Sequence, residues 1–94
     1  MNKQEAKRLL RESLDRYRKF TYGELQNTIG DIETSQVSGG SGTQYQLEVQ
    51  VFWDGINQQN IRVMASIDDG GWRAFAPLTD SIIMAPDGSF VGEG

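Results

Sequence analysis

Between residues 44 and 53 apolar and polar side chains alternate. Tyr45, Leu47, Val49, Val51 and Trp53 fall on one side of an extended chain, and Gln44, Gln46, Glu48 and Gln50 on the other. A period of two marks a strand with one face buried. The pattern recurs at residues 61–68, where Ile61, Val63, Ala65 and Ile67 alternate with Arg62, Ser66 and Asp68. Strands of this kind make a sheet with one apolar face, and another layer must cover it.

That layer lies upstream. Across residues 2–20, Ala6, Leu9, Leu10, Leu14, Tyr17 and Phe20 recur at helical spacing, with Ser13 as the polar intruder in the stripe. Asn2 and Glu5 have the spacing of a capping box. Glu12 with Arg16, and Asp15 with Lys19, form favourable pairs one turn apart, each worth about 0.3–0.5 kcal/mol.

Residues 22–29 admit two readings. Thr21 and Glu24 form a second capping-box pattern, Leu25 and Ile29 share a helical face, and Gly30 suits a helix end. Phe20, Thr21 and Tyr22 could instead open a strand, and Gly23 weakens a helix, but the balance leans to a short helix. The string Thr21-Tyr22-Gly23-Glu24-Leu25, closing on Ile29-Gly30, is similar to a helix start in the winged-helix part of alkyltransferase-like DNA-binding proteins. The likeness ends there, and the chain lacks the cysteine motif of their active members. It is read here as a recurrent capping pattern.

From residue 31 onward the chain reads as β. A polar strand at 31–36 leads into the flexible loop Ser38-Gly39-Gly40-Ser41-Gly42. Turns are expected at Asp54–Asn60, at Asp69-Gly70-Gly71 and at Pro86-Asp87-Gly88. Short strands are expected at Trp72–Ala76 and Asp80–Ala85, with a closing hairpin at Ser89–Gly92. The expectation is one α+β domain spanning residues 1–94. Its N-terminal amphipathic helix packs across one face of a curved antiparallel meander of four or five strands. In element order this resembles the cystatin-like and NTF2-like grip. Cystatins carry Gln-x-Val-x-Gly, whereas Gln36-Val37-Ser38-Gly39-Gly40 sets Val one place early, so protease inhibition is not implied.

Composition closes off several chemistries. The chain has no Cys and no His, which removes thiolate and imidazole ligands, the cysteine nucleophile and the Ser-His-Asp triad. No apolar run approaches the ~18 residues of a membrane span, and residues 1–20 lack the apolar core of a signal peptide. A cytoplasmic protein is expected. Seven basic and three acidic side chains fall in residues 1–20, against two basic and ten acidic in the remainder. Lys7, Arg11 and Arg18 edge the apolar stripe as a strip that would meet an anionic surface. Interleaved acids and the net charge of −4 argue against nucleic acid as a partner.

Three groups of residues qualify as candidate sites. Asp68, Asp69, Arg73 and Asp80 form a weak polar cluster, which fits a hairpin tip better than a metal site. Asp54–Asn60 lacks the spacing of a calcium loop, and the loop at 38–42 lacks the Lys and following helix of a phosphate loop. Tyr17, Tyr45, Trp53 and Trp72 are candidate linings of a pocket between helix and sheet. Phe52, Met64 and Ile83 each break the phase of their strand and would form an apolar patch on the outer face of the sheet. No catalytic set, metal or cofactor is expected. The leading expectation is a non-enzymatic interaction domain, associating with itself or a protein partner through that face. The alternative is a small-molecule or weakly catalytic pocket under the helix.

Overall fold

The computed structural model describes residues 2–70 and 77–93. Helix α1 spans Lys3–Arg18 and closes on Lys19, just short of the expected end at residue 20. Asn2 caps it, its Oδ1 accepting from the Glu5 N–H at 3.1 Å. The reciprocal half of that capping box does not form, because the Glu5 carboxylate turns to Ser41 instead. The ion pairs along α1 also differ from those expected. Glu12 pairs with Arg8 at 2.9 Å, and Asp15 with Arg18 at 3.2 Å. Arg8 and Arg16 both stand one turn from Glu12, on its N-terminal and C-terminal sides, so the two compete for one carboxylate. Arg18 is held over the helix end by Glu93 at 2.7 Å, within reach of Asp15.

Residues after Phe20 resolve as helix. α2 spans Tyr22–Asn27, and here the capping box closes on both sides. Thr21 Oγ1 accepts from Glu24 N–H at 3.1 Å, and the Glu24 carboxylate accepts from Thr21 N–H at 2.9 Å. Among the described residues four strands follow: β1 (Ile32–Ser38), β2 (Gln44–Asp54), β3 (Asn60–Asp68) and β4 (Leu78–Met84). They form one antiparallel sheet in chain order. β4 begins at Leu78 rather than Asp80, and the strand expected at Trp72–Ala76 lies outside the described residues. The final hairpin reduces to a single bridge between Met84 and Phe90. It turns through Gly88, whose φ of +87° suits a residue without a Cβ.

Both helices cover the same face of the sheet. Ala6, Leu10 and Leu14 of α1 and Leu25 of α2 pack on Tyr45, Leu47, Val49 and Val51 of β2. The same layer takes in Ile61, Val63, Ala65 and Ile67 of β3 with Ile82 and Met84 of β4. This is the α+β architecture that the two periodicities imply. α1 rides over β3 and β4, so β1 stands aside. No β1 side chain is fully buried, and Val37 alone is half-buried.

Glu5 latches the β1–β2 loop to α1. Its carboxylate accepts from the Ser41 hydroxyl at 2.6 Å, the Ser41 N–H at 3.2 Å and the Tyr45 hydroxyl at 3.3 Å. Gly39 is buried beneath it, and a Cβ there would overlap the carboxylate. The Ser41 hydroxyl bond holds the Glu5 carboxyl below its ordinary value, against the opposing effect of burial. Burial and the Glu5 charge push the Tyr45 phenol up.

Candidate functional site

Strand register decides what the face opposite the helices presents. Phe52 stands opposite Arg62 on β3, and Arg62 stands opposite Ile83 on β4. Directly opposed residues share a face, so Phe52, Arg62 and Ile83 form one row across three strands. Met64 lies in the next row, between Gln50 and Ser81. It is diagonal to both Phe52 and Ile83, at a spacing of roughly 7–8 Å that long side chains bridge. The three residues that break phase therefore gather on the face opposite the helices. Each is half-buried.

Arg62 occupies the middle of this group. Its Nε donates to Asp54 Oδ1 at 3.0 Å, and a terminal nitrogen lies 2.9 Å from the same oxygen. The other terminal nitrogen donates to Ser81 Oγ at 2.8 Å. The guanidinium is thus fixed across β2, β3 and β4 between Phe52 and Ile83. Alternation alone marks Arg62 as outward-facing. Its place in the patch depends on the β3–β4 register, which no local pattern encodes.

Tyr17, Tyr45 and Trp53 do not converge on a shared pocket. Tyr17 lines a groove of about 300 Å³ beside α1, with Arg16, Phe20, Glu33, Ser35, Leu47 and Val49. Its hydroxyl donates to Glu33 Oε2 at 2.7 Å. Tyr45 is fully buried at the Glu5 latch, near the other end of α1. Trp53 packs against the core at the far end of β2. Trp72 lies outside the described residues.

The polar cluster is divided by the sheet itself. Asp68 is opposite Gln46 on the outer face, where its carboxylate accepts from Gly70 N–H at 2.8 Å. Asp80 is opposite Ala65 on the helix-covered face and lines a groove with Lys7 and Arg11. Asp69 follows Asp68 in the turn, and Arg73 lies outside the described residues. Among the described residues no group of three carboxylates is placed to hold a metal ion, and no helix is long and apolar enough to cross a membrane. Comparison with known proteins finds no matching family model, no matching curated protein and no matching solved structure.

Proposed function

We propose that this chain is a small non-enzymatic interaction domain that associates with itself or with a protein partner through the outer face of its sheet. The supporting observation is the row Phe52–Arg62–Ile83 with Met64 beside it, on the face turned away from both helices. Aromatic residues, Met and Arg are the types enriched at the centres of protein interfaces. Gln50 and Ser81 in the row of Met64, and Glu48, Ser66 and Thr79 in the next, supply hydrogen-bonding groups for a rim. Arg62 is already oriented by Asp54 and Ser81, so little side-chain freedom remains to be lost on docking.

The test is Phe52→Ser, read by light scattering at two protein concentrations and by capture of the partner, where one is found. The expected result is weakened association with the domain still folded, since Phe52 lies outside the buried core; its half-burial in a central strand lowers the thermal midpoint without unfolding the chain. Association that survives the substitution intact overturns the reading.

A further inference from the structure

The two edges of the sheet differ. The β4 edge is occupied at its end by the C-terminal tail, where Val91 N–H donates to Ile83 C=O and Ala85 N–H to Ser89 C=O, both at 2.8 Å. β1 forms the other edge and pairs with β2 alone among the described residues. Gly39 N–H donates to Thr43 C=O at 2.9 Å, and Val51 N–H to Asp31 C=O at 3.5 Å. Antiparallel hydrogen bonding alternates along a strand, so Glu33, Ser35 and Val37 direct their backbone groups to β2. Ile32, Thr34, Gln36 and Ser38 therefore direct N–H and C=O outward from the sheet.

Edge strands are ordinarily blunted by Lys, Pro, bulges or cover. β1 has the sequence Ile-Glu-Thr-Ser-Gln-Val-Ser, with no Lys, Arg or Pro, and over these seven residues its register with β2 is unbroken; a bulge stands just before them, where Gly30 N–H donates to Val51 C=O and Val51 N–H to Asp31 C=O. Its one charge, Glu33, lies on the helix side and is held there by the Tyr17 hydroxyl at 2.7 Å. Ile32 is 61% exposed at one end of the strand.

We infer that β1 pairs antiparallel with β1 of a second copy, joining the two sheets edge to edge about a two-fold axis at Ser35. In this register Ile32 meets Ser38 of the other copy, Thr34 meets Gln36, and Ser35 meets Ser35. All four outward N–H and all four outward C=O groups of each strand are then satisfied. Glu33 faces Val37 of the other copy, so no like charges are opposed. The helices lie on the same side of the joined sheet and stand apart, because α1 rides over β3 and β4. A single strand pair buries less than the ~1,200 Å² at the lower bound of stable interfaces, so the dimer is weak and concentration-dependent. This inference does not rest on the outer-face reading.

Sedimentation equilibrium of the full chain from micromolar to millimolar protein tests it. A monomer–dimer equilibrium is expected. Thr34→Lys sets two ammonium groups diagonally across the axis, each partly offset by Glu48 opposite it, and should weaken it about threefold. Because the chain has no cysteine, Ser35→Cys carries a single thiol. At a non-hydrogen-bonded pair the Cα atoms stand about 4.5 Å apart, within disulfide range. Ser35→Cys should therefore oxidise to a covalent dimer much faster than Gln36→Cys. A monomer at millimolar concentration, or equal oxidation of the two cysteine variants, overturns the inference. So does a dimer that resists Thr34→Lys yet is lost with Phe52→Ser, an outcome that would sustain the outer-face reading.

Discussion

Tyr17 shows how one side chain couples the helix to the edge of the sheet. Burial, reinforced by the hydrogen bond to Glu33, raises its phenol from 10.0 to about 12. A folded-state value above the unfolded one stabilises the fold below the unfolded value, and the contribution disappears as pH rises through the folded value. The thermal midpoint is therefore expected to lose this contribution between pH 10 and about 12. Tyr17→Phe should lessen that alkaline loss and remove a late step from the ultraviolet phenolate titration. An alkaline profile identical in the two proteins would show that the hydroxyl carries no such coupling. At this scale the sequence was legible for phase and opaque for partners. The breaks at Phe52, Met64 and Ile83 could be read because each interrupts a local alternation. The bond from Tyr17 to Glu33 could not, since it joins a helix end to a strand whose register the spacing leaves open.

Two elements begin with the same signature and use it differently. Thr21-x-x-Glu24 closes its capping box, while Asn2-x-x-Glu5 gives up the second half to Ser41. A local motif sees only local competitors, and the hairpin that delivers Ser41 lies 36 residues away. That latch also reclassifies the Gly/Ser loop, which composition marks as flexible and the fold ties to α1. Gly39→Ala is expected to displace the Glu5 side chain and lower the thermal midpoint. Glu5→Ala should do the same by removing the acceptor for Ser41 and Tyr45. The double variant should be little worse than the more damaging single one, because both changes break one unit. Additive shifts in a calorimetric cycle would contradict this. Glu5 also sets a pH direction at the acid end. Its lowered carboxyl stabilises the fold above the ordinary value of 4.5, and this is lost as pH falls through the depressed one.

At the scale of the whole molecule, α1 gathers the chain's distant parts. Its first turn holds the β1–β2 loop and its last turn holds the tail, where Arg18 pairs with Glu93 and lies 4.9 Å over the Phe90 ring. Arg18→Ala is expected to cost little global stability, since the ion pair is partly exposed. It should instead raise the hydrogen-exchange rate of the Val91 amide, whose bond to Ile83 depends on the docked tail. An unchanged Val91 rate would show that the tail holds without Arg18. The α+β plan was legible here because helical and strand periodicities each left one apolar surface. The tail's docking was not, because it rests on single contacts between the chain's two ends.

The alternation along β2 and β3 also separates two kinds of change available to this molecule over generations. Along β2 and β3 the odd-numbered residues from Tyr45 to Val51 and from Ile61 to Ile67 fill the interior, while the even-numbered ones face outward. Mutations in the first set are judged by whether the chain still folds, and mutations in the second by what the folded chain then meets. With the two vocabularies interleaved letter by letter, a lineage can exchange one partner for another while leaving its scaffold almost untouched.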